Sequence, residues 1–132
     1  VFDVIELFDE NITSYGGEDT ELAIRLWEAY SDGLRFSFSA ACEHHHFREL
    51  NEFCNSMFQF GKNKLPSLIE QFPQHSAELR GEWIKSMKGR MLFNPIIRLV
   101  VSKTRHICSS YWLSRYQVID AVISGARSVS HR

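Results

Sequence analysis

Prolines divide the second half of this 132-residue chain into segments of helix length. Proline lacks an amide hydrogen and clashes with the preceding helical turn, so it marks where helices begin or break. Between the prolines, apolar residues recur every three or four positions, which is the period of an amphipathic helix. The pattern predicts helices over residues 64–72, 76–91, 95–107 and 109–127, punctuated by Pro66, Pro73 and Pro95.

The first half of the chain carries two more helical patterns and one strand pattern. Helical spacing runs from Gly17 to about Ser31, and again from Phe47 to near Gly61. Between these helices, apolar and polar residues alternate over residues 34–40, which is the period of a half-buried strand. The expected fold class is therefore mainly α with a small β element.

Composition narrows the class of protein. With 44% apolar residues the chain is expected to bury a core, and 15 basic against 16 acidic residues give no reason to expect a nucleic-acid partner. Three cysteines, Cys42, Cys54 and Cys108, lack the spacing of a zinc site or a disulfide scaffold and fit a reducing cytosol. No apolar run approaches the roughly 18 residues of a membrane-spanning helix. The expected location is the cytoplasm.

Two glycines followed by two carboxylates open the first predicted helix. Gly16 and Gly17 permit the positive φ angles of a tight turn, and the free amide groups of a first helical turn can fix an acidic side chain. Glu18 or Asp19, held in this way, could act as a general base. The alternative is structural: Asp19 or Thr20 caps the helix, and the acidic residues complement its dipole. Local chemistry alone favours the structural interpretation.

Three consecutive histidines follow the predicted strand. On an extended chain His44 and His46 point to one side and His45 points to the other, so two of them could face a cleft. Two imidazoles make an incomplete metal shell, and the remaining ligands would have to come from elsewhere in the protein. A solvated polar strand end is the competing interpretation of this cluster.

Longer stretches around both constellations resemble a known family. The segment FDENITSYGGEDTELAIRLW, residues 8–27, is similar to the C-terminal signature of family 2 glycosyltransferases, in which Phe-Asp-Glu is followed by an aromatic residue, Gly-Gly-Glu-Asp and an amphipathic helix. The segment HHHFRELNEFCNSMFQFGKNKLPSLIEQFP, residues 44–73, resembles bacterial members of the family. The resemblance implies that residues 1–46 end an α/β catalytic domain of the GT-A fold and that residues 47–132 form a helical extension.

The resemblance also implies roles for single residues. Asp19 would be the general base that takes the proton from the acceptor hydroxyl, and Glu18 would orient that base or bind the acceptor. Tyr15 and Gly16-Gly17 would line the acceptor side of the cleft. Trp27 matches a position that is often aromatic in related enzymes. Because it shares a helix face with other apolar residues, we predict that it belongs to the core and is not a sugar platform.

A divalent metal and a nucleotide-sugar donor are implied as well. His44 would contact manganese or magnesium, with His46 as the substitute if the register differs by two residues. The family's Asp-x-Asp motif, which supplies the main metal contact, does not occur in these 132 residues. We therefore expect a fragment of a larger inverting glycosyltransferase of polysaccharide or cell-surface glycan synthesis, inactive by itself.

The helical tail has its own competing interpretations. Its basic residues are compatible with peripheral contact to an anionic membrane carrying lipid-linked acceptors, although packing of the apolar faces on one another and on the rest of an enzyme is favoured. These residues are Lys85, Lys88, Arg90, Arg98, Lys103, Arg105, Arg115 and Arg127. The alternative function class is a non-enzymatic helical interaction module that forms homo-oligomers through an exposed apolar face.

Overall fold

A computed structural model describes residues 8, 16–33, 35, 37–43, 45, 47–108 and 110–129 of the chain. Within these residues the protein is mainly α-helical, as predicted, and contains no strand. The helices are α1 (Glu18–Tyr30), α2 (Leu50–Asn63), α3 (Leu65–Gln71), α4 (Gly81–Lys85), α5 (Met87–Leu92), α6 (Pro95–Ile107) and α7 (Tyr111–Val129). Short 3-10 turns follow α1 and α3, over Ser31–Gly33 and Pro73–His75.

Pro95 marks the start of α6 as predicted, and Asn94 caps the helix. Asn94 is the N-cap, and its side-chain oxygen accepts hydrogen bonds from the amides of Ile96 at 2.9 Å and Ile97 at 3.1 Å. Pro95 occupies the first helical position, where its missing amide hydrogen costs nothing. The helices predicted over residues 64–72 and 95–107 are confirmed. The helix predicted to begin at Phe47 begins three residues later, at Leu50.

The single helix predicted over residues 76–91 is wrong. The chain turns through Arg80, which has a positive φ of 61°, and forms two short helices, α4 and α5, instead of one. Ser86 separates them in an extended conformation, and its hydroxyl accepts a hydrogen bond from the amide of Gly89 at 3.1 Å. Serine caps a new helix start here because its side chain competes with the helical backbone for that amide.

The strand predicted over residues 34–40 is not found in the described part of that segment. Phe38 and Ser39 lie in a turn, and Phe38 is 93% exposed. Leu34 and Phe36 lie outside the described residues. Alternation of apolar and polar residues indicates a strand only where a neighbouring strand supplies hydrogen bonds and a core covers one face. Residues 35 and 37–43 show neither condition.

Two glycines let α2 and α7 cross with their backbones in contact. A Cβ atom on Gly61 would lie 2.0 Å from the carbonyl oxygen of Val122, and one on Gly125 would lie 2.1 Å from that of Phe58. No side chain fits at such distances. Next to this crossing lie the largest fully buried side chains of the described residues, Leu65 and Ile123.

The core continues from this crossing towards α4 and α5. Ile84, Phe93 and Ala126 are buried with Leu65 and Ile123 in one apolar cluster. Around Phe93 the aromatic rings are ordered. Its ring stacks on Tyr116 at 5.5 Å between centroids and meets Trp83 edge-on at 5.7 Å. Aromatic pairs in these geometries add attraction beyond the apolar area that they bury.

Arg127 fastens α4 and the end of α5 to α7. Its guanidinium donates to the carbonyl oxygens of Trp83 at 2.7 Å, Ile84 at 3.0 Å and Phe93 at 2.8 Å. Burial lowers the pKa of Arg127, and the nearby Arg90 lowers it further. The guanidinium nevertheless remains charged at neutral pH. Among the basic residues of the tail, Arg127 is therefore engaged in packing within the fold.

α1 lies against α2 and α3 at its beginning and against the second 3-10 turn near its end. A Cβ atom on Gly17 would lie 3.3 Å from the ring of Phe60 and 3.6 Å from Leu68. At the other end, the carboxylate of Glu28 accepts hydrogen bonds from Gln74 and His75. None of the described helices combines the length and the apolar content that crossing a bilayer requires.

The helix crossing predicts an unusual response to alanine. In an ordinary helix, replacing glycine by alanine stabilises by up to about 1 kcal/mol. Gly125→Ala should instead destabilise the protein by roughly 1–3 kcal/mol, because the new methyl group must displace the carbonyl of Phe58. Urea denaturation measures the difference.

Lys62→Ala is the control, since Lys62 is exposed beside Gly61, and it should change the free energy of unfolding by less than about 0.5 kcal/mol. A Gly125→Ala protein as stable as the original would show that the two backbones are not in contact.

Candidate functional site

The Gly-Gly turn sets the start of α1. Gly16 has φ 78° and Gly17 has φ 104°, both in the left-handed region that favours glycine. Gly17 is buried against Phe60, and its carbonyl accepts the first helical hydrogen bond from the amide of Glu21 at 2.8 Å. The two glycines thus place the start of α1 against the surface of α2.

The structural alternative for the acidic residues is wrong in its detail. The N-cap of α1 is Gly17, which has no side chain to cap with, and neither Asp19 nor Thr20 takes that position. Glu18, Asp19 and Glu21 all fall in the first helical turn, where the helix dipole favours negative charge. The carboxylates of Glu18 and Asp19 therefore do not cap the helix.

The three carboxylates of this turn differ in their surroundings. Glu21 is buried, and its two oxygens accept hydrogen bonds from Arg25 Nε at 2.7 Å and Nη2 at 2.8 Å. Glu18 is half-buried, and its Oε2 atom is fully buried without a hydrogen-bond partner among the described residues. Asp19 is exposed. The turn thus combines a paired, an orphaned and a solvated carboxylate within four residues.

A cavity of about 400 Å³ lies beside this turn, between α1 and the segment after the second 3-10 turn. Thr20 and Trp27 line it from α1, and His75 and Glu78 line it from the other side. Trp27 is 53% exposed, so its predicted place in the core is wrong. The only residue of α1 that is buried is Glu21. An exposed indole beside polar groups can bind a ring with an apolar face.

The remaining predicted site residues are not placed. Tyr15, His44 and His46 lie outside the described residues. Of the histidine cluster the structure describes His45, which is exposed and lies 3.6 Å from the carboxylate of Glu43. No group of three His, Cys, Asp or Glu side chains in the described ranges is arranged to hold a metal ion. The described residues therefore do not by themselves supply a metal shell.

A second, polar cavity of about 310 Å³ lies between α2, α6 and α7 and was not expected from the sequence. Buried Asp120 accepts hydrogen bonds from Arg98 Nε at 2.5 Å and Nη2 at 3.1 Å, and Arg98 also donates to Ser124. The hydrogen bond to Asp120 raises the pKa of Arg98. One signal was available: Asp120 is the only acidic residue after Glu82.

Comparison of the chain with protein-family models, with curated proteins and with solved structures finds no match. Its fold and its site are therefore interpreted from its own residues.

The polar cavity predicts different reactivities for the three thiols. Burial raises the pKa of Cys54, an effect that the nearby Arg105 opposes, so less reactive thiolate is present at neutral pH. Cys42 and Cys108 are exposed. Iodoacetamide at pH 7.5 should therefore alkylate Cys54 several times more slowly than either of them, as followed for each cysteine-containing peptide by mass spectrometry.

Unfolding the protein in urea should remove the difference, which provides the control. Equal rates for the three thiols in the folded protein would contradict the position of Cys54 beside the polar cavity.

Proposed function

We propose that this chain carries the acceptor-side, base-bearing region of an inverting glycosyltransferase of the family 2 type, acting in polysaccharide or cell-surface glycan synthesis. One observation carries the proposal: a buried Gly-Gly turn presents an exposed carboxylate, Asp19, at a helix start beside a cavity with an exposed tryptophan. Residues four apart share a helix face, and Ala23, which lines that cavity, lies one turn after Asp19.

The cavity fits a sugar acceptor in its chemistry. The face of the Trp27 indole can pack on the C–H groups of a pyranose ring, while Thr20, His75 and Glu78 offer hydrogen bonds to its hydroxyls. Asp19, next to the cavity, would take the proton from the attacking hydroxyl. That oxygen would then bond to the anomeric carbon of the donor as the nucleoside diphosphate leaves from the opposite side, which inverts the configuration.

Glu18 would orient the base or bind the acceptor. Its Oε2 atom is buried without a hydrogen-bond partner among the described residues, one residue before Asp19. A buried carboxylate oxygen without a donor is destabilising, so a hydrogen bond from an acceptor hydroxyl would be favourable there. Glu18 is thus proposed to complete its hydrogen bonding when the acceptor binds.

Donor binding belongs to other parts of the enzyme in this proposal. Leu22, Leu26 and Tyr30 form a half-exposed apolar stripe on α1 that is available for packing against a nucleotide-binding half. The divalent metal would use His44, or His46, and further ligands beyond the described residues, and would hold the donor diphosphate. No step of the proposed proton transfer passes through it.

The interaction module is the competing function, and one observation favours it: apolar side chains of α6 and its neighbours are exposed. The sequence encoded upstream of Val1 separates the two classes. An in-frame nucleotide-binding half with an Asp-x-Asp motif supports the enzyme. A start codon at Val1 supports the module.

Removing the base should abolish transfer. In the full gene product, Asp19→Asn should lower nucleoside diphosphate release in the presence of acceptor by about 100-fold or more, since the amide cannot accept the proton. Asp32→Asn is the matched control, because Asp32 is also exposed and follows the other end of α1. Full activity of the Asp19→Asn enzyme would refute this role.

Trp27 should govern acceptor affinity. Trp27→Ala should raise the KM for the acceptor about tenfold, the equivalent of roughly 1.4 kcal/mol, and leave the KM for the donor unchanged. Trp27→Phe keeps an aromatic face and should retain most of the affinity. Equal KM values for the alanine variant and the original enzyme would show that the cavity does not hold the acceptor.

A further inference from the structure

Helix α6 packs against α7 through its polar side. Arg98 binds Asp120 and Ser124 of α7, and Arg105 donates to the side chain of Gln117 at 2.9 Å. These two arginines are seven residues apart and therefore lie on one helix face. An amphipathic helix of a globular protein ordinarily turns its apolar stripe inward. In α6 the arrangement is reversed.

The outer face of α6 is apolar and exposed. Each residue advances about 100° around a helix, which places the members of this face within about 100° of one another and opposite Arg98. The members are Ile96 (75% exposed), Leu99 (58%), Val100 (57%), Lys103 and Ile107 (89%). Single exposed apolar residues are common, but a contiguous face of this kind indicates a binding surface.

Elements next to α6 in the chain also carry exposed side chains suited to a water–lipid boundary. Met87 and Met91 on α5 are 78% and 71% exposed, and Tyr111 and Trp112 at the start of α7 are 72% and 71% exposed. Tyrosine and tryptophan are enriched where apolar and aqueous phases meet. They begin the helix that directly follows α6.

The acidic and basic residues between α4 and the middle of α7 are all basic. Residues 83–119 contain seven lysines and arginines and no aspartate or glutamate. Arg98 and Arg105 bind α7, whereas Lys85, Lys88, Arg90 and Lys103 are exposed to solvent. Arg115, also exposed, lies over the ring of Trp112 at 5.8 Å.

We propose that the outer face of α6 docks on an anionic membrane surface. Its apolar side chains would enter the boundary between headgroups and acyl chains, Lys103 would extend its ammonium group to the lipid phosphates, and the exposed lysines of α4 and α5 would add attraction. A second copy of the chain is a poorer occupant, because two such faces would bring like charges together. The proposal does not depend on the role of Asp19.

Vesicle flotation with the 132-residue chain tests the proposal. The chain should float with vesicles of phosphatidylcholine and phosphatidylglycerol, bind pure phosphatidylcholine vesicles much more weakly, and dissociate as salt is added. Lys103→Glu should weaken binding about tenfold or more, since each surface charge contributes about 1 kcal/mol. Leu99→Ser with Val100→Ser should have a similar effect.

Matched controls come from exposed residues elsewhere. Phe47→Ser replaces an apolar side chain that is 93% exposed outside α6, and Lys62→Glu reverses an exposed lysine on α2. Both should bind vesicles like the original chain, and circular dichroism should show that all variants remain folded.

Several outcomes would overturn the proposal. They are a lack of binding to anionic vesicles, equal binding to neutral ones, and binding that the controls weaken as much as Lys103→Glu does. A dimer in size-exclusion chromatography that Leu99→Ser dissociates would assign the face to a second copy. Since no nucleotide-sugar is present, none of these results bears on the proposed sugar transfer.

Discussion

The contact between the backbones of α2 and α7 at Gly61 and Gly125 determines the rest of the fold. Because the two helices approach until a carbonyl oxygen of each fills the place of a Cβ atom of the other, their crossing is fixed without side chains. Leu65 and Ile123 are buried beside it, and Phe60, one residue before Gly61, supports the Gly-Gly turn of α1. The candidate base therefore depends on a helix crossing in the core for its position.

Charged groups on α7 attach α4, the end of α5 and α6 to the core. Arg127 binds carbonyl groups of α4 and of the end of α5, and Asp120 binds Arg98 of α6. Burial of the Asp120 carboxylate has a desolvation cost, and the contribution of its pair with the half-exposed Arg98 to stability relative to an apolar pair is small. The pair fixes the rotation of α6 about its own axis, because α6 can satisfy Asp120 only when its arginine face is turned inward. When the arginine face points inward, the apolar face of α6 points outward.

Sequence reasoning succeeded where the determining physics is local. Helical periodicity together with Pro95 predicted α6, since the proline ring acts within the first helical turn. It failed over residues 76–91, where the Ser86 side chain competes with the backbone, and over residues 34–40, where a strand would need a partner. The acidic residues of the candidate site could be selected from the sequence. The exposure of Trp27 and the Asp120–Arg98 pair could not, because both depend on helices distant in the chain.

The glycines of this protein also divide into those whose role follows from the local sequence and those whose role depends on distant helices. Gly16 and Gly17 could be recognised from the sequence as a turn, since consecutive glycines before a helix indicate positive φ angles. Gly61 and Gly125 lie inside helices, where glycine is unfavourable by itself, and only the crossing explains them.

The orphaned oxygen of Glu18 has a consequence for how the protein can change. A buried carboxylate oxygen that has no hydrogen-bond partner among the described residues lowers the stability of the folded state, and an apolar side chain of similar size at that position would be tolerated better by the fold. Selection for stability alone would tend to replace it. With Glu18 in place, the start of α1 is suboptimal for folding.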